Sequence, residues 1–113
     1  MLCDLSYKDG SPLPFSARGI LKDAVAALAG NGMAMQVGLE VELTLFQSDG
    51  TPIDAGYQYL TEARYAAAEP VLDALRRAAI ALGLPVRSVE IEFGPGQVEL
   101  TFAPMDPVRA ADA

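Results

Sequence analysis

The stretch Val89-Glu90-Ile91-Glu92-Phe93-Gly94-Pro95-Gly96-Gln97-Val98-Glu99-Leu100-Thr101-Phe102 decides how this chain is read. Two short runs alternate polar and apolar residues around Gly-Pro-Gly. Alternation with period two marks a strand with one buried face. Pro95-Gly96 suits the central positions of a type II turn, because Pro pre-sets φ at the first and Gly accepts a positive φ at the second. The run therefore predicts a β-hairpin. A two-residue loop pairs Phe93 with Val98 and Glu92 with Glu99. Val89, Ile91, Phe93, Val98, Leu100 and Phe102 then share one face, and Glu90, Glu92, Glu99 and Thr101 share the other.

The second face is a problem in electrostatics. Opposed residues of an antiparallel pair have Cβ atoms about 5 Å apart, and like charges there destabilise the sheet unless something neutralises them. The nearest basic residue is Arg87, at the start of the first strand. A hard divalent cation held by carboxylate oxygens resolves the conflict, and a solvated face with splayed side chains is the alternative. Working outward, Met35 to Phe46 is the longest strand candidate. Leu39, Val41, Leu43 and Leu45 point one way, and Gly38, Glu40, Glu42 and Thr44 the other. Glu40 and Glu42 are then neighbours about 7 Å apart on one strand face. Two separate segments thus each give an apolar face and an acid-rich face. If they adjoin in a sheet, four or five carboxylates converge.

The remaining elements frame this sheet. Leu2 to Tyr7 reads as a short strand ending at Asp9-Gly10-Ser11-Pro12, with Cys3 as a small buried hydrophobe. Ser16 caps a helix to about Ala29, stopped by Gly30-Asn31-Gly32. Its apolar face is Ile20, Ala24, Ala27 and Leu28, with Arg18, Lys22 and Asp23 in water. Ser48 to Pro52 is a turn, and Ile53 to Leu60 is irregular, with Gly56-Tyr57-Gln58-Tyr59 either lining a cleft or, the favoured reading, packing beneath a loop. Thr61 to Leu82 is helical with a stripe of Val71, Leu72, Leu75, Ala79 and Leu82. Pro70 either starts or kinks that helix. Asp106-Pro107 begins a further helix. The expected fold is α+β: a mostly antiparallel sheet of about four strands with two helices on its apolar face. The acidic face stays uncovered, since burying unpaired carboxylates is too costly.

Composition narrows the function. At 113 residues and 51% apolar content the chain is at most one domain with a real core. A net charge of −7 argues against nucleic acid and anionic membrane as partners. With one cysteine and no histidine, an internal disulfide, Ser-His or Cys-His nucleophilic machinery and the commonest zinc ligand are all absent. No signal peptide or membrane span is read, so the expected location is cytoplasmic.

The pattern resembles the glutamine synthetase family. Gly38-Leu39-Glu40-Val41-Glu42-Leu43-Thr44-Leu45-Phe46 is similar to its G-x-E-x-E-F-x-L strand, with Leu43 where Phe is common. Glu92-Phe93-Gly94-Pro95-Gly96-Gln97-Val98-Glu99 is similar to its E-x-x-P-G-Q-x-E element. Cys3-Asp4, Asp9-Gly10-Ser11-Pro12 and Arg18-Gly19-Ile20-Leu21-Lys22 also match, so the resemblance runs along essentially the whole chain. It implies a ligase that joins glutamate to ammonia, using ATP, through γ-glutamyl phosphate. Two Mg²⁺ or Mn²⁺ ions sit in a carboxylate-lined funnel. By motif position Glu42, Glu92 and Glu99 hold the ion beside glutamate, and Glu40 contributes to the ion on the ATP phosphates. The family's histidine ligand, later K-P signature, ATP-contacting arginines and small N-terminal domain have no counterpart in these residues. The resemblance therefore implies a single partial domain over residues 1–113, with no catalytic residue assigned in it, inactive alone and prone to assemble as a homo-oligomer. A γ-glutamyl ligase for another amine, a non-catalytic assembly or metal-binding module of the same fold, and an unrelated small α+β domain with a fortuitous acidic face stay open.

Overall fold

The computed structural model describes residues 3–54 and 56–113. Its elements run α1 (Ala17–Gly30), β1 (Val37–Thr44), α2 (Glu62–Ala81), β2 (Val86–Ile91), β3 (Gln97–Met105) and α3 (Pro107–Ala111). The class is α+β, as expected. The sheet has three strands in the order β1-β3-β2, not four. The strand expected over Leu2 to Tyr7 lies partly outside the described residues. From Cys3 on, that segment contributes one isolated bridge, Ser6 to Pro12, and Cys3 is exposed, not buried. A five-residue loop turns the chain back before a ladder can grow.

The chain divides into two compact units, one from Leu39–Ala103 and one from the described residues of Met1–Gly38 with Pro104–Ala113. In the second of these, Ser16 caps α1 by accepting from the Gly19 amide at 3.4 Å, and α1 packs on α3. The packed face differs from the expected one. Leu21, Val25 and Leu28 are half-buried, while Ala24 and Ala27 are exposed and Ile20 is 55% exposed. The reason is Arg18. Its guanidinium bonds Asp4 and Asp112, each at 3.0 Å, which turns the helix face that begins at Arg18 inward. Asp106 caps α3 by accepting from the amides of Val108 and Arg109, with Pro107 at the first position, where a missing N–H costs nothing.

Residues 39–103 carry the sheet core. Leu72, Ile91 and Val98 are buried at its centre, with Leu43, Leu45, Tyr65, Ala68, Leu75 and Val89 packed around them. Tyr65, Ala68, Leu72, Leu75 and Ala79 follow helical spacing along α2, which lies against β2. The helix runs unbroken through the exposed Pro70. Leu82 is 77% exposed and leaves the expected stripe, because the helix closes there on Gly83 at φ +77°.

The hairpin keeps its turn and changes its register. Gln97 donates to the Gly94 carbonyl at 2.9 Å and Gly96 takes φ +69°, so Pro95-Gly96 occupies the turn as read. Across the ladder, however, Ile91 faces Val98 and Glu90 faces Glu99. The offset is two residues, so every side chain of the paired segments keeps its face. A type II turn twists against the strands when it closes a two-residue hairpin, and the wider loop Phe93–Gly96 relieves this. Phe93 leaves the apolar face, 63% exposed, and stacks on Tyr59 with ring centroids 3.9 Å apart. β1 meets the turn where Leu45 donates to the Gly96 carbonyl at 2.9 Å. The end of β1 thus meets the start of β3, and the two run antiparallel.

Two turns share one construction. Asp9 accepts from the amide and hydroxyl of Ser11, and Asp49 does the same with Thr51. Gly10 and Gly50 both sit at φ +85°. The second turn bridges Phe46 to Pro52 and returns the chain against the hairpin.

Truncating the core gives the expected scale of stability. Leu72→Ala removes a buried side chain from the centre of the cluster and is expected to cost about 2–5 kcal/mol, the range for buried Leu→Ala. Urea unfolding of the two proteins measures it.

Candidate functional site

β1, β2 and β3 bring the acidic residues of both segments to one sheet face. Glu99 lies on the central strand, with Glu90 directly opposite on β2 and Glu92 just past the end of that strand. Glu92, not Glu90, was expected opposite Glu99. The two-residue shift leaves Glu92 on the same face but at the margin of the loop. Its carboxyl still lies close enough to act on that of Glu99. Glu40 and Glu42 on β1 are exposed and close enough for their charges to act on Glu99.

Glu99 records the conflict. Burial, first, then the hydrogen bond with Glu92, then the charges of Glu40, Glu92 and Glu42 push its carboxyl up to about 7 from an ordinary 4.5. A hydrogen bond between two carboxyls needs a proton on one of them. The ion pairs of this unit lie elsewhere, joining Arg64 to Asp54 and Arg76 and Arg77 to Asp73. Among the described residues none reaches the acidic face. Without a basic partner there, Glu99 holds a proton more readily than an ordinary carboxyl.

Two glutamines organise the face, and sequence reasoning gave neither a role. Gln97 donates from Nε2 to Glu42 and accepts at Oε1 from the Gly94 amide at 2.9 Å. It links β1 to the loop between Glu92 and Glu99. Gln58, 2% exposed, donates from Nε2 to the carbonyls of Glu92, Gly94 and Gln97. Gln97 was visible as part of the motif. Gln58 stood in a stretch read as lining a cleft or packing beneath a loop; it is buried and bonded to the loop.

The donor set is all carboxylate oxygen, which suits Mg²⁺ or Mn²⁺ and not a softer metal. As the side chains lie, no three of them among the described residues are grouped closely enough to chelate an ion.

Comparison with known proteins fixes the family. Residues 14–113 match the family described as glutamine synthetase, catalytic domain. The chain belongs to the glutamine synthetase family. It is 35% identical over 133 residues to gamma-glutamylanilide synthase of an Acinetobacter species, covering all of this chain and 27% of that protein. It is 35% identical over 112 residues to gamma-glutamylethanolamide synthetase GlnA4 of Streptomyces coelicolor, covering 89% of this chain and 24% of that protein. A solved structure of GmaS in complex with ADP superposes with a TM-score of 0.79 at 27% identity, over 96% of this chain and 26% of that one. The chain thus spans about a quarter of the length of these relatives. This family membership overrides the unrelated-domain reading, even though Glu92 and Glu99 are not directly opposed. Among the described residues no helix is long and apolar enough to cross a membrane.

The raised Glu99 acidity has a signed consequence. Between about 4.5 and 7 the folded state holds a proton that the unfolded state has released. Stability is then fully present at low pH and falls as pH rises through 7. Wild type is expected to melt lower at pH 8 than at pH 5.5, and Glu99→Gln, which keeps a donor toward Glu92 without a charge, is expected to flatten that fall. Thermal unfolding at the two pH values checks it.

Proposed function

We propose that this chain is the metal-carrying part of a γ-glutamyl–amine ligase. The observation that carries the reading is the convergence of Glu40, Glu42 and Glu92 on Glu99 at one sheet face, in a chain of this family. Glu42, Glu92 and Glu99 would hold one divalent ion beside the substrate glutamate, and Glu40 would contribute to a second on the nucleotide side. Such ions neutralise phosphoryl charge and orient the reacting groups. The residues' own part is to present oxygen ligands on a rigid sheet and to give up the Glu99 proton when a cation takes its place.

In this reading the γ-carboxylate oxygen of glutamate takes the terminal phosphoryl group of ATP and ADP departs. The amine nitrogen then forms the C–N bond while phosphate leaves and one N–H proton is lost. Ammonia is the acceptor in the namesake reaction. An organic amine is favoured here by the names of the relatives, an anilide synthase, an ethanolamide synthetase and, at 24% identity, a glutamate–isopropylamine ligase of a Pseudomonas species. Exposed apolar side chains such as Phe15 at 72% and Leu60 at 79% support assembly with further protein surface, including other copies of the chain.

Thermal unfolding with and without millimolar Mn²⁺ tests the site. A cation that binds only the folded state at a hundred times its Kd adds about 2.7 kcal/mol. Wild type at pH 7.5 is expected to gain melting temperature and Glu99→Gln to lose most of the gain. Equal response of the two proteins, or none in wild type, sinks the metal reading. A second measurement is ADP release with glutamate, ATP, Mg²⁺ and either ammonia or ethanolamine. The 113-residue chain is expected to stay at background, and turnover above it would refute the reading of a partial active centre.

A further inference from the structure

Gln58 is one of two buried polar residues among those described, the other being the helix cap Ser16. It is more than thirty residues away in sequence from everything its amide touches. Nε2 lies 3.1 Å from the Glu92 carbonyl, 2.8 Å from that of Gly94 and 2.8 Å from that of Gln97. An amide nitrogen carries two hydrogens, so at least one is shared between acceptors. One acceptor, Gly94, lies in the Phe93–Gly96 loop, and the other two, Glu92 and Gln97, flank it on either side.

The loop has an alternative. The same Pro95-Gly96 turn also fits a tight hairpin in which Glu92 faces Glu99, with every apolar residue on the same face. Burial alone does not choose between registers two residues apart. Gln58 discriminates between them. In the wide loop the carbonyls of Glu92, Gly94 and Gln97 converge on one donor group. Glu92 also donates there to the Gln97 carbonyl at 2.9 Å, whereas in the tight ladder its position would lie beside Glu99. Gln58 is itself held firmly. Its carbonyl accepts from the Thr61 amide at 3.1 Å, Leu60 takes the left-handed φ of 54°, and Arg64 on α2 binds Asp54 at 3.1 Å. The network extends through Gln97, whose side chain bridges the Gly94 amide and Glu42. The network thus bonds the backbone of Glu92 and the side chain of Glu42, two of the four carboxylates assigned to metal.

We propose that Gln58 is the positioning residue of the carboxylate centre: its side-chain amide holds the Phe93–Gly96 loop open and so sets where Glu92 stands relative to Glu99. The part of this that concerns metal rests on the ligase reading above; the hold on the loop does not. Residues that orient metal ligands without touching the ion typically change affinity 10- to 100-fold when removed.

The test uses the whole chain and three variants. Gln58→Met keeps the shape and removes both donors. Leu72→Ala weakens the core without touching the loop. Glu99→Gln removes a ligand. Two quantities are read: amide hydrogen exchange at Glu92, Gly94 and Gln97 relative to Leu100, and Mn²⁺ affinity by titration. Gln58→Met is expected to quicken loop exchange about 10-fold or more and to weaken Mn²⁺ about 10-fold or more. Leu72→Ala is expected to lower the melting temperature while leaving the Mn²⁺ Kd unchanged, which separates positioning from mere loss of stability. Loop exchange at the wild-type rate in Gln58→Met overturns the proposal. So does a faster loop with an unchanged Mn²⁺ Kd. If wild type binds no Mn²⁺ while Gln58→Met still opens the loop, the metal reading falls and Gln58's hold on the loop is upheld.

Discussion

The repulsion among carboxylates on one sheet face is the constraint that the rest of residues 39–103 accommodates. Glu99 sits on the central strand, where β1 and β2 present their own glutamates from either side. A half-buried carboxylate surrounded by like charge has three ways out: protonation, a cation, or displacement from the sheet. Burial and the neighbouring carboxyls push Glu99 up to about 7, which favours the first. Displacement is blocked because the opposite face of the same strand carries Val98 and Leu100, both buried. Moving Glu99 off its face would expose them. The hydrophobic face thus enforces the electrostatic conflict, and the conflict is what makes the face receptive to a cation.

The same logic explains the hairpin. A strand pair whose polar face is acidic gains from separating its charges, and the observed register moves Glu92 to the loop margin. The separation comes with unpaired backbone, since a four-residue loop gives up ladder hydrogen bonds that a tight hairpin would make. Buried backbone carbonyls need donors; the turn itself supplies one to Gly94 and one to Gln97, and Gln58 adds a donor to both and to the Glu92 carbonyl. Gly96 closes the arrangement from the other side. A Cβ there would stand 2.6 Å from the Leu45 carbonyl, so the turn approaches the end of β1 through a gap only glycine leaves. Turn, loop and strand end are therefore fixed together by backbone contacts, while the glutamates they carry remain at the surface.

Much of this was legible in sequence because it depends on local periodicity. Alternation assigned the faces of β1, β2 and β3, Pro95-Gly96 assigned the turn, and Ser16 and Asp106 assigned the caps. What was not legible depends on contacts between distant residues. Period two fixes the face of a side chain but is blind to a register shift of two, so Glu90 and not Glu92 came to face Glu99. The inward face of α1 turned on Arg18, whose partner Asp112 is 94 residues away. Gln58 was invisible as a loop anchor because nothing local calls for an amide at that position. The matched turns at Asp9–Ser11 and Asp49–Thr51, by contrast, were present in the letters as D-G-S-P and D-G-T-P and show that a short repeat can be overlooked when it carries no hydrophobic period.

The family pattern and the physics of the face reach the same residues by independent routes. The motif names Glu40, Glu42, Glu92 and Glu99 by position alone. The charge argument selects the same four because they share a sheet face without basic partners, and it adds Glu90, which no motif position required. That addition separates the two routes. Glu90 is directly opposite Glu99 on the ladder and half-buried, yet the carboxyls that raise Glu99 are those of Glu92, Glu40 and Glu42. Position across a ladder therefore does not decide which carboxylates act together. The direction in which the loop aims its side chains does, and in this chain that direction is a property of the backbone around Gly94.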